Sequence, residues 1–303
     1  MTYGGSGFDG LNTSERREAA REKARILREE HRKRDRRRRV FLQGGIALFV
    51  VAVIAVVVIL VTSGIRPPSP GPLNMQSDGI KIGTGYKAVS TPALRPEQAP
   101  IPSKTNAKDV IAIQIYLDYQ CPICGAFEKA NADQISTWVN TGAATLEIHP
   151  ISILDRVSLG TKYSTRAANA AACMANYSPN TYFAFSALLF SHQPAENTEG
   201  LTDGQILALA EKAKPAKVSS IESCVKNQTF KSWVNAATTR ATTGPILGTD
   251  VAKVSGTPTV IINGVQYTGA VNDSAAFASA VVKAAGDSFT QDATASPTPT
   301  PTP

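Results

Sequence analysis

Histidine and cysteine are scarce in this chain, three and four in 303 residues, and their scarcity closes off several chemistries. Nucleophilic hydrolysis of the Ser- or Cys-His-Asp kind needs a histidine in a supporting constellation. His149 precedes Pro150 at the end of a strand pattern and His192 precedes Gln193 and Pro194, so both read as structural or exposed. A zinc site needs four ligands at compatible spacing. Cys121 and Cys124 could supply two, but Cys173 and Cys224 stand about fifty residues from each other, and no metal site is expected. Gly83-Thr84-Gly85 is too short for a dinucleotide fingerprint and opens no helical pattern. No cofactor is expected, and the chemistry falls to the chain's own sulfur.

Charge imbalance is also confined. The formal net charge is +7, yet residues 1–39 hold 13 Lys/Arg against 7 Asp/Glu, leaving 18 basic and 17 acidic residues for everything else. No aromatic residues interleave the arginines, which argues against nucleic acid as a partner. Residues 40–62 are uncharged and rich in Val, Ile, Leu and Ala. At about 1.5 Å per residue, such a run crosses a hydrocarbon core of about 30 Å. It is too long for a signal-peptide core and follows too long a charged preface. The Arg36-Arg37-Arg38-Arg39 cluster flanks one side and only Arg66 the other, so the positive-inside bias places residues 1–39 in the cytoplasm. The expectation is an uncleaved signal-anchor: a single-pass protein of the cell membrane whose later residues are extracytoplasmic. The basic arm reads as a topology determinant and a charged juxtamembrane helix, with binding to anionic lipid as the sharper alternative.

Beyond the anchor, residues 63–74 form a Pro-rich linker, 75–286 a folded domain, and 287–303 a Thr/Pro tail expected to be disordered. Within the domain, residues 80–82 suggest a short strand. Residues 110–117 are nearly all apolar, the pattern of a strand covered on both faces. A helical pattern runs from Cys121 to about Gly142, and Ala144, Leu146 and Ile148 then alternate with polar residues as a second strand. Strand, helix and strand together make a unit that yields parallel pairing. Residues 161–239 read as a helical insertion, with Thr202 and Gln205 at capping-box spacing. Residues 257–262 return to strand, Asn263-Gly264 marks a hairpin, and 275–285 read as the last helix.

Cys121, Pro122, Ile123 and Cys124 sit where the first long strand feeds its helix. Backbone N–H groups and the helix dipole there stabilise a thiolate, the species that attacks disulfides. Two-residue spacing lets the second thiol resolve a mixed disulfide. A metal half-site and an inert pair are the alternatives. The extracytoplasmic placement implies an oxidising compartment, which favours the redox reading.

Cys121-Pro122-Ile123-Cys124, then Phe127-Glu128, then a helical insertion and Gly256-Thr257-Pro258-Thr259 resemble, in that order, the DsbA/DsbG group of thiol-disulfide oxidoreductases. The resemblance implies an α/β thioredoxin-like fold with a helical insertion, here preceded by the transmembrane helix. It implies that Cys121 is an exposed nucleophile, Cys124 a buried resolving thiol, Pro258 a cis-proline beside them, and Thr257 a donor of backbone groups to an extended substrate. It further implies exported proteins with reduced cysteines as substrates and a quinone-linked membrane partner for re-oxidation. Ile123 departs from the best-known DsbA pattern, which has His there, and points to a less extreme oxidant. Pro122, Ile123 and Glu128 are candidates for tuning the thiols; Glu128 and Asp118 read equally well as solvated carboxylates. Cys173 and Cys224 are expected to form a structural disulfide, with two free buried thiols as the alternative. A disulfide isomerase or reductase of the same fold competes within this chemistry. A non-catalytic binding or sensor module with the basic arm as its output competes outside it.

Overall fold

A computed structural model of the chain describes residues 70–294 and, before them, helical positions scattered between residues 21 and 34 and between 45 and 55. The chain divides into two units at Pro67/Pro68. In the first, Arg25 donates to Glu22 across 3.0 Å on an exposed helical surface. Most of the expected transmembrane run 40–62, the first part of the linker and the end of the tail lie outside the described residues. Among the described residues no helix is long and apolar enough to cross a membrane.

The second unit is built on a six-stranded sheet in the order β2-β1-β4-β3-β5-β6. Its strands are β1 (Ile80–Gly83), β2 (Lys87–Ala88), β3 (Ile111–Leu117), β4 (Ala144–Pro150), β5 (Thr259–Ile262) and β6 (Val265–Gln266). The Ile- and Leu-rich β3 lies at the centre, where β-branched side chains pack on both faces. It runs parallel to β4, with Ile111 opposite Ala144 and Leu117 opposite Pro150. It runs antiparallel to β5, with Tyr116 opposite Thr259. Asn263 (φ 48°) and Gly264 (φ 85°) take the left-handed geometry that a tight two-residue hairpin demands and turn β5 into β6.

Helix α1 (Pro122–Thr141) joins β3 to β4. Proline suits its first position because the missing N–H would be unpaired there anyway. Gly142 ends it at φ 85°, a left-handed cap that glycine adopts without a Cβ clash. Phe127 from α1 meets Phe277 edge-on at 5.3 Å, which fastens α1 to the last helix, α7 (Ser274–Thr294). That helix runs past the expected domain end at residue 286, and 287–294 are helical rather than structureless. Residues 287–294 contain no proline, and the Pro-rich repeat begins only at Pro297.

The insertion consists of α2 (Tyr163–Tyr177), α3 (Tyr182–Ser191), α4 (Asp203–Lys212), α5 (Val218–Lys226) and α6 (Lys231–Thr243). It extends a few residues beyond the expected boundary at 239, since Ala241 still packs into a buried cluster. Thr202 and Gln205 form the expected capping box on α4. The Ala-dense face of α2 is wholly buried, and small side chains let the neighbouring helices approach closely. Cys173 of α2 and Cys224 of α5 are joined by a disulfide, so the alternative of two free thiols does not hold.

The polar positions of β4 are covered as well: Glu147 and His149 are buried alongside Leu146 and Ile148. The second face of the sheet is roofed by loops and α6, and Glu147 accepts hydrogen bonds there from Ser77 and, at 2.8 Å, from Ser103. His149 stacks on Tyr116 with ring centroids 4.2 Å apart, and its Nε2 lies 3.6 Å from Glu147 Oε1.

Candidate active site

The parallel pairing of β3 and β4 and the antiparallel pairing of β3 and β5 bring two distant segments together at the C-terminal end of the central strand β3. The chain leaves β3 through Asp118, Tyr119 and Gln120 to Cys121, the N-cap of α1. Because Thr259 pairs with Tyr116, Thr257 and Pro258 continue outward beside that exit. The Thr257-Pro258 peptide bond is cis, as the resemblance implied. The Cys121 thiol donates to the Thr257 carbonyl at 3.1 Å.

No side chain caps α1 at Cys121, so the N–H groups of its first turn are left for the sulfur. The Cys121 pKa is drawn down to about 6. A hydrogen bond from the Cys124 thiol contributes most; burial opposes it, and the Thr257 hydroxyl and the backbone N–H groups of Cys124 and Ile123 add to the lowering. Cys124 moves the other way. Burial pushes its thiol well above the ordinary value, and its hydrogen bond and proximity to the Cys121 charge push it further. Both cysteines are free, and Cys121, which the resemblance implied to be exposed, is buried like Cys124, at 5% against 2% exposure, because it packs against the Thr257 carbonyl.

Pro122 and Ile123 face solvent, so Ile123 offers its main-chain N–H but no polar side chain. Glu128 is half-buried in α1, over a small cavity lined by Ile115, Leu117, Ile148 and Phe183. It makes no hydrogen bond or ion pair among the described residues, and burial raises its pKa to about 7. The reading of Glu128 as a solvated helix carboxylate is therefore replaced by a carboxyl against apolar walls. Asp118 is fully buried and accepts from the N–H groups of Gln120 (2.9 Å), Ile153 (2.9 Å) and Leu154 (3.0 Å). Burial dominates those donors and raises its pKa to about 6. It too is not solvated. His192 is exposed, while His149 is buried on β4.

Two groups at the site escaped the sequence reading. Gln193, just beyond α3, donates from its amide nitrogen to the carbonyls of Tyr119 (3.0 Å) and Cys121 (2.8 Å). Gln120 donates to the Val157 carbonyl at 3.3 Å. Nothing near Gln193 in sequence signals this role; the one available hint was Gly125, a glycine inside a helical pattern.

Two thiols of opposite disposition at a helix N-terminus, faced by a cis-proline loop on this sheet, define a thioredoxin-fold thiol-disulfide oxidoreductase of the DsbA/DsbG type. The family model described as thioredoxin matches residues 103–282, and the chain belongs to that family. It is similar to the reduced form of the disulfide bond oxidoreductase DsbG from Mycobacterium tuberculosis, at 26% identity and a TM-score of 0.52, over 78% of this chain and 99% of that one. The fold is shared with oxidised BdbD from Bacillus subtilis, at 18% identity and a TM-score of 0.51, over 73% of this chain and all of that one (100%). A 117-residue stretch is 35% identical to the serine/threonine-protein kinase PknE of Mycobacterium tuberculosis H37Rv, covering 37% of this chain. The chain spans about a fifth of the length of that curated relative (21%).

Proposed function

We propose that this protein oxidises cysteine pairs in exported proteins, with Cys121 as the exchanging sulfur and Cys124 as the resolving one. The observation that carries the reading is the opposed disposition of the two thiols, Cys121 lowered to about 6 and Cys124 raised. A stabilised thiolate favours the reduced dithiol, which makes the disulfide the stronger oxidant. In the balanced reaction, a substrate thiol gives up its proton and attacks the Cys121 sulfur of the disulfide as a thiolate, and Cys124 leaves as a thiolate that takes up a proton. The substrate's second thiolate then attacks the mixed disulfide and releases Cys121. Substrate gains a disulfide, and the protein holds the two electrons. Thr257 and Pro258 would take the substrate as an added strand through main-chain hydrogen bonds, which need no particular substrate sequence.

The uncharged run 40–62 and the preceding arginines support a single membrane tether with the redox domain outside the cytoplasm. A membrane-bound, quinone-linked oxidant would then remove the electrons. Equilibration of the full chain in glutathione buffers, with alkylation and mass analysis of trapped thiols, tests the reading. A potential well above about −270 mV, that of thioredoxin, is the expected result. A value at or below it would mark a reductant, and a pair that never exchanges would mark a binding module.

A further inference from the structure

Gln193 belongs to the helical insertion and lies 72 residues from Cys121 in sequence, yet its amide closes the active-site turn. A primary amide carries two N–H donors, and here one nitrogen reaches two carbonyls, those of Tyr119 and Cys121. Tyr119 lies beyond the last pairing of β3, Leu117 with Pro150, so no strand occupies its carbonyl. The Cys121 carbonyl also accepts the first hydrogen bond of α1, from the Gly125 N–H at 3.1 Å. The amide thus grips the end of the strand and the N-cap of the helix together.

The other half of the amide rests on Gly125. A Cβ built there would overlap Gln193 Oε1 and lie 3.2 Å from Cδ. Gly125 has no left-handed backbone to require glycine, and in a helix glycine is unfavourable relative to alanine. A methyl group would meet only the end of a flexible side chain, so it would displace the amide rather than the backbone.

We propose that Gln193 is a positioning residue for thiol-disulfide exchange, holding the turn that seats Cys121 over the helix N-terminus, and that residue 125 is glycine to admit its amide. The proposal rests on the redox reading above. The Cys121 thiolate is favoured first by hydrogen bonding from the Cys124 thiol, then from the Thr257 side chain and the N–H groups of Cys124 and Ile123, and all of these are directional. A small rotation at the N-cap weakens all of them at once, because hydrogen bonds fall off steeply with angle.

The test is a double-substitution cycle in the full chain: Gln193→Ala, Gly125→Ala and both together, with Gln193→Glu as a variant of equal length that carries no N–H donors. The readouts are the pH profile of Cys121 alkylation in the reduced protein, the glutathione equilibrium and the melting temperature. Each single variant should move the Cys121 pKa from about 6 toward 7, a roughly three- to tenfold loss of thiolate at pH below both values. Gly125→Ala should add no further shift once Gln193 is alanine. Its effect on melting temperature should reverse sign, a loss beside Gln193 and a gain without it, because helix propensity then acts unopposed. An unmoved pKa in Gln193→Glu and Gly125→Ala, or shifts that add independently, would overturn the proposal. A parent chain that never exchanges with glutathione would instead remove the redox reading, and the proposal with it.

Discussion

The Cys121 thiol lies 3.1 Å from the Thr257 carbonyl, a hydrogen bond between residues 136 apart in sequence. That contact joins the dithiol to the cis-proline loop, and the Thr257 hydroxyl adds to it by favouring the thiolate. Thr257→Val keeps the carbonyl and the shape while removing the hydroxyl. The Cys121 pKa should rise by about one, since a hydrogen bond to a charged group is worth about 1.5 kcal/mol. The rate of Cys121 alkylation across pH 4 to 9 measures it; a coincident profile would rule out a role for the hydroxyl.

Ile123 is 52% exposed beside the thiolate and offers it only a main-chain N–H. Replacement by histidine adds a side chain that can carry charge and donate to sulfur. Ile123→His should lower the Cys121 pKa and raise the reduction potential by at least about 30 mV, a tenfold change in the two-electron equilibrium. Glutathione titration of the two proteins side by side decides it, and identical potentials would sink the idea.

Glu128 has a raised pKa, about 7 against an ordinary 4.5, with burial as the cause. A carboxyl with a raised folded-state value binds its proton more tightly folded than unfolded, so its ionisation costs stability as pH rises from 4.5 to 7. Glu128→Gln should therefore stabilise the protein at pH 8 by on the order of 1–2 kcal/mol, and the gain should shrink toward pH 4.5. Urea unfolding at the two pH values gives the comparison; an equal effect at both would show that ionisation is not involved.

His149 acts in the opposite direction. Its pKa is lowered, chiefly by burial, with the charges of Glu147 and Asp78 opposing; Asp78 is itself paired with Arg240 at 2.7 Å. A base with a lowered folded-state value is protonated first in the unfolded chain, so stability falls as pH drops below about 6.5. His149→Gln should flatten that acid limb of the unfolding curve without moving the dithiol potential. A limb of unchanged slope would assign the acid sensitivity to other groups.

The Cys173–Cys224 disulfide closes a 51-residue separation and ties α2 to α5 inside the insertion. By loop entropy it should contribute about 4 kcal/mol. Replacing both cysteines with alanine should lower the urea midpoint accordingly and leave Cys121 alkylation unaltered. An unchanged midpoint would show that the insertion is braced by packing alone.

Local chemistry determined much of this protein from the sequence. The Ile-rich run before Cys121, the proline at the first helical position, the capping box at Thr202 and Gln205, and the Asn263-Gly264 turn each act within a few residues. Those signals were enough to place the dithiol at a strand-to-helix junction, and with the Thr257-Pro258 motif they indicated the fold class. What they could not contain is burial and long-range pairing. Alternation on β4 marked a strand but not its cover, since the loops and α6 that bury Glu147 and His149 come from distant parts of the chain. Glu128 and Asp118 read alike in sequence; tertiary packing set the first against a largely apolar cavity, with no hydrogen bond among the described residues, and gave the second three backbone donors. Gln193 carried no signal at all, because its partners are main-chain carbonyls, which are the same in every sequence. Only the folded chain decided which carbonyls its amide would meet.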